Sequence, residues 1–146
     1  MEVRNRPFPF AYYVFWSKSE EATAQERELG IYLVEIAEAR YLQKFFDPLF
    51  DAADIGISTS DDEIISSTKL DALLSAVKSA TRDVETQASE WTVAVGYTFK
   101  AHQMEPEAEI LRGACRSRLL EFLEGTLKII QKAIEAGGYV HFGGGG

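Results

Sequence analysis

A helical pattern of about thirty residues runs from Pro106 to Ala136 and stops at Gly137 and Gly138, ahead of a short apolar segment, Tyr139 to Phe142. A helix of that length crosses a small domain and must bury a stripe along its whole course, so the rest of the chain has to be arranged around it. Leu111, Cys115, Leu119 and Phe122 fall on one line of the pattern, and Leu123, Leu127, Ile130 and Ile134 on the adjoining line. Pro106 suits a first helical turn, where Glu107 and Glu109 complement the helix dipole. Glu109 with Arg112, and Glu124 with Lys128, are spaced to pair along the exposed side. Gly137 can take the left-handed conformation that ends a helix.

Two more helices are expected. Ser17-Lys18-Ser19-Glu20 has the capping-box pattern, and Leu29, Leu33, Ile36, Leu42, Phe45 and Phe46 follow it at amphipathic spacing, with Asp47-Pro48 as the end or kink. Thr68-Lys69-Leu70-Asp71 offers another cap. Leu70, Leu73, Leu74, Val77, Ala80 and Val84 then place a second helix over about Lys69 to Ser89. Between them, Asp51 to Ser67 is rich in Asp, Ser, Thr and Gly and reads as a surface connection with one short turn starting at Ser60.

Three segments read as extended. Phe8 to Trp16 is dense in aromatic and β-branched residues, with Pro7 and Pro9 confining its start to a sheet edge or an arm. Trp91 to Phe99 alternates with period two, and Tyr139 to Phe142 is a brief strand. The expected fold is therefore mainly α, in the α+β class: three principal helices packed as a bundle-like core, with a small sheet or extended segments from about 8–16, 91–99 and 139–142. Residues 1–142 form one domain, which 146 residues can support without disulfides or metal, and Gly143 to Gly146 form a disordered tail.

Composition narrows the function more than any motif does. Asp and Glu total 23 against 15 Lys and Arg, a formal net charge of -8, which repels nucleic acid and favours basic partners. No segment approaches the roughly twenty apolar residues that span a bilayer. Arg4, Arg6 and the apolar run to Trp16 resemble a leader, with Ala22-Thr23-Ala24 as the cleavage site, but two prolines and Lys18, Glu20 and Glu21 interrupt it. A cytoplasmic protein without a membrane role follows.

Candidate chemistry is sparse. His102, His141 and Cys115 share no ligand motif, so no metal and no cofactor are expected. Glu35 and Glu38 are three apart and read as a solvated helix face, and Cys115 as a small buried hydrophobe. His102 and His141 read as solvent-exposed. Asp51, Asp54, Asp61, Asp62 and Glu63 suggest calcium, but Ala53 and Ile55 occupy positions where loop ligands belong. Arg112, Arg116 and Arg118 form the one basic concentration and read as internal ion pairing. No catalytic residue is assigned.

Amphipathic aromatics are abundant, and such rings are enriched where an apolar body must also offer a hydrogen bond. Tyr12, Tyr13, Phe15 and Trp16, with the acids Asp61, Asp62 and Glu63, are the expected partner-binding residues. The expected function is a noncatalytic protein-binding domain, such as a small acidic inhibitor or immunity-type protein acting on a basic partner. Two alternatives stand beside it. One is a small-molecule-binding domain or small enzyme whose pocket uses His102 or Glu35 and Glu38 as anchors. The other is a self-associating structural protein, a homodimer whose first segment crosses to its neighbour.

Overall fold

A computed structural model describes residues 12–33, 35–52, 62–65, 67–99 and 106–144. Within them lie β1 (Tyr12–Ser17), α1 (Ala24–Glu28), β2 (Ile31–Leu33), α2 (Ile36–Ala52), β3 (Asp62–Ile65), α3 (Ser67–Glu85), β4 (Glu90–Phe99), β5 (Pro106–Cys115), α4 (Arg116–Ala136) and β6 (Tyr139–Gly144). Four strands form an antiparallel sheet in the order β2-β1-β6-β3, while β4 and β5 make a separate two-stranded hairpin.

The bundle expected from the sequence is not what forms. Strands supply one whole side of the interior: Tyr12, Val14, Leu33, Ile65, Val140 and Phe142 from the sheet meet residues of all three long helices in one cluster. From α2 come Leu42 and Phe46, from α3 Leu70, Leu73 and Val77, and from α4 Leu119, Leu123 and Ile130, all buried. The fold is thus α+β, a layer of helices on one face of a sheet, because strands of period two need such a layer to bury their apolar side.

The long helical pattern divides at Cys115. Its first ten residues are β5, paired along their length with β4, and only Arg116–Ala136 is helical. Glu109 and Arg112 therefore share a strand rather than a helix. A ten-residue strand such as β4 leaves a row of backbone groups to be satisfied, and the next apolar segment in the chain supplies the partner. Gly113 inside the supposed helix was a local sign against it, since glycine there costs about 1 kcal/mol relative to alanine.

The expected first helix divides as well. The capping box that forms is Thr23 with Glu26: Glu26 N–H donates to Thr23 Oγ1 at 3.1 Å, and Thr23 N–H to Glu26 Oε1 at 2.8 Å. The short α1 ends before Gly30, whose Cα lies so near β1 that a Cβ would come within 2.9 Å of the Val14 carbonyl oxygen. The chain then turns into β2, so Leu33 enters the core from a strand. Pro48 neither ends nor divides α2, which continues to Ala52. The packing of Leu42 and Phe46 against the sheet outweighs the single hydrogen bond that proline removes.

The region expected to be a connection contains β3, which pairs with β6 from Asp62↔Gly143 to Ile65↔Val140. The brief last strand is longer than expected and central. It includes Gly143 and Gly144, and the Tyr13 ring lies over Gly143 so closely that a Cβ would meet its hydroxyl at 2.8 Å. Helix α4 reaches β6 through Gly137, at φ 66°, and Gly138, where a Cβ would fall on the Ser17 carbonyl oxygen. Gly138→Ala should therefore cost about 1–3 kcal/mol, measured as a shift in denaturant midpoint at unchanged slope. No effect would show that the turn relaxes freely. The expectation for α3 is met closely, with Leu70, Leu73, Val77, Ala80 and Val84 all buried.

Candidate functional site

Strand alternation decides where the expected partner-binding aromatics go. Tyr12 faces the helices and packs edge-on against Phe46, with ring centroids 5.8 Å apart, while Trp16 packs against the same core. Tyr13 and Phe15 take the opposite face, beside Tyr32 of β2 and His141 of β6. Phe15 is buried, stacked on His141 at 4.4 Å with Arg27 over its ring at 5.4 Å. The four residues do not share one exposed patch. Asp62 and Glu63 lie in β3, and Asp61 is outside the described residues, as is His102.

His141 is not the solvent-exposed side chain expected. It is buried in the central strand, with Nε2 2.7 Å from Ser17 Oγ, and that hydroxyl also donates to the Ser19 carbonyl. A hydroxyl has one proton, so Ser17 accepts from the imidazole N–H. This pair ties β1 to β6.

Glu38 departs furthest from its expected place on a solvated helix face. Its side chain is 0% exposed, whereas that of Arg118 is 52% exposed. Arg118 Nη2 lies 2.8 Å from Glu38 Oε2, and Nε donates to both carboxylate oxygens at 3.2 and 3.0 Å. The Cys115 backbone N–H adds a further donor at 2.8 Å. Hydrogen bonding to Glu38 holds the Arg118 guanidinium above its usual value. A carboxylate expensive to bury alone is thereby matched, and it fastens α2 to the start of α4.

The other arginines are spread rather than gathered. Arg116 Nη1 donates to the Gln87 carbonyl and Arg112 Nη1 to the Leu111 carbonyl, so the basic concentration in sequence is not a phosphate grip. Cys115 is half-buried at the strand-to-helix junction rather than inside a helix. The Ser117 hydroxyl, 3.1 Å from Sγ, lowers the thiol below its ordinary value, helped by the Arg118 amide. Among the described residues no three His, Cys, Asp or Glu side chains gather as metal ligands.

Two features present recognition surfaces. The first is the β4–β5 hairpin. Its base is anchored: Trp91 meets Tyr41 edge-on at 5.2 Å, Tyr41 Oη donates to the Asp83 carboxylate, and Arg40 Nη2 donates to the Val95 carbonyl at a bulge in β4. Trp91 opposes Ala114 and turns to α2, whereas Leu111 opposes Ala94 on the far side, and Tyr97 opposes Glu109 there too. Phe99, two residues beyond Tyr97, shares that side. Tyr97, Phe99 and Leu111 are 52%, 56% and 49% exposed, beside the exposed acids Glu107 and Glu109. The alternation of 91–99 shows which residues share a face but not which face stays uncovered, so the sequence alone does not reveal this patch.

The second feature is an open groove of about 520 Å³ between β2 and α4. Ile31, Leu33 and Phe122 supply apolar lining, and Glu35, Glu121 and Lys128 charged lining, with the Glu38–Arg118 pair in its wall. None of this was anticipated, because β2 lay hidden in a helical pattern. Comparison with protein-family models, with curated proteins and with solved structures finds no match for this chain. Among the described residues no helix is long and apolar enough to cross a membrane.

Proposed function

We propose that this chain is a noncatalytic protein-binding domain that docks a basic partner on the outward face of the β4–β5 hairpin, in the manner of a small acidic inhibitor or immunity-type protein. The observation that carries this reading is the alignment of Tyr97, Phe99 and Leu111 on one exposed side of a hairpin whose base is fixed. Aromatic and aliphatic anchors beside the acids Glu107 and Glu109 give a partner both buried area and charge complementarity. The net charge of -8 acts in the same direction over longer range. A cytoplasmic setting belongs to the same proposal and agrees with a single cysteine that has no intrachain partner to oxidise with.

The small-molecule alternative gains less support, because the groove is open and its buried carboxylate is already matched by Arg118. Crossing of the first segment to a neighbour is disfavoured for residues 12–17, since β1 is paired on both sides within its own chain.

The test is a Tyr97→Ser/Phe99→Ser/Leu111→Ser variant. Capture from the source organism should recover a basic protein whose affinity for the purified wild-type chain weakens with added salt. Calorimetric titration of that protein should give a Kd raised roughly 100-fold or more for the variant, with little change in melting temperature. Unchanged affinity in the variant, or recovery of a small metabolite alone, would remove the reading.

A further inference from the structure

The lining of the β2–α4 groove identifies which part of each element it uses. Gly30, Ile31, Tyr32 and Leu33 line it consecutively. Successive strand residues point to opposite faces, so a surface touched by all of them follows the edge of the strand. β2 is the end strand of its sheet, and no further strand pairs with it among the described residues. From α4, Arg118, Glu121, Phe122, Gly125 and Lys128 recur at three- and four-residue spacing along one stripe. The groove is therefore a strand edge facing a helix, with backbone groups that no strand among the described residues pairs on one wall and side chains on the other.

Charge in the groove is unbalanced. Arg118 is taken up by Glu38, and Lys128 reaches Glu124 at 3.5 Å. Glu35 and Glu121 line the groove without an ion pair among the described residues. The base of the groove is narrow, because Gly125 brings α4 close enough to β2 that a Cβ would meet Ile31 Cδ1 at 2.9 Å. A volume of about 520 Å³ lies within the range of ligand sites.

The geometry points to strand addition: a short extended segment of a partner protein, with small apolar and basic side chains in alternation, pairs with the β2 edge and sets its basic groups against Glu35 and Glu121. Main-chain hydrogen bonds supply affinity and the α4 stripe supplies selectivity. Three residues of strand offer few ladder bonds, so the contact is weak alone and releases readily. It lies apart from the hairpin surface, and each can fail without the other.

The experiment is an NMR titration of the full chain with four capped hexapeptides: one alternating Lys and Val, that peptide N-methylated at every second residue in each of the two frames, and one with Glu replacing Lys. The Lys-Val peptide should bind below about 1 mM, shifting the amides of Gly30 to Leu33 and of the α4 stripe. One N-methylated frame should bind roughly tenfold more weakly or not at all, and the Glu peptide should not bind. Glu35→Lys/Glu121→Lys should weaken the Lys-Val peptide about tenfold at low salt while leaving the melting temperature in place.

Equal binding by both N-methylated frames, or by the Glu peptide, overturns the proposal. So does the absence of shifts at millimolar peptide. Shifts confined to the hairpin overturn it while sparing the hairpin reading. A dimer in sedimentation whose β2 amides are already protected without peptide assigns the edge to a second copy instead.

Discussion

Arg118→Met is expected to lower the unfolding free energy by about 3–5 kcal/mol, more than its half-exposed side chain suggests. The loss falls on the partner left behind. Glu38 has no contact with solvent, and without the guanidinium its carboxylate retains, among the described residues, only the Cys115 N–H. Glu38→Gln alone should cost less, because the guanidinium reaches water and the amide oxygen can still accept one hydrogen bond. Adding Glu38→Gln to Arg118→Met should restore part of the lost stability by removing the stranded charge, a coupling that a double-mutant cycle in urea would measure. Additive losses would mean that the pair contributes little and that Arg118 acts through its methylenes.

Phe142→Ala is the second large effect, at about 3–5 kcal/mol and roughly 10 °C or more in melting temperature. The ring is buried in the central strand, 5.2 Å from the Tyr12 centroid and 5.0 Å from that of Phe46, so truncation leaves a cavity among side chains from β1, α2 and β6. Removing Leu29, which is largely exposed, should stay within about 0.5 kcal/mol. A thermal melt of both variants separates burial from hydrophobicity as such. Equal shifts would mean that the contacts around Phe142 are not stabilising.

Legibility in the sequence followed the range of the interaction. Helix α3 could be read because Leu70, Leu73, Val77, Ala80 and Val84 repeat at one spacing and a nearby cap starts it. Strand β4 could be read from its alternation. Its partner could not, because Leu111 and Cys115 also fit a helical line running on to Leu119, and only pairing with β4 decides between the two. Gly30 was visible, but its role at the entry to β2 depends on how closely β1 approaches. The burial of Glu38 was hidden for a similar reason: its guanidinium partner is 80 residues away. The hairpin patch was written in residues already noticed, and lacked only the information that one face of the strand stays uncovered. The groove requires two elements from distant parts of the chain and had no local trace.

The position of β6 governs when this fold can close. It lies between β1 and β3, so the first and third strands of the sheet have no bridge until residues 139–144 have been synthesised. Until those residues emerge, the apolar faces of β1, α2 and α3 wait without their central layer, and closure is a long-range event limited by chain search rather than by local propensity. A chaperone that shields exposed strands would find its longest window on this protein in the interval before Val140 and Phe142 arrive.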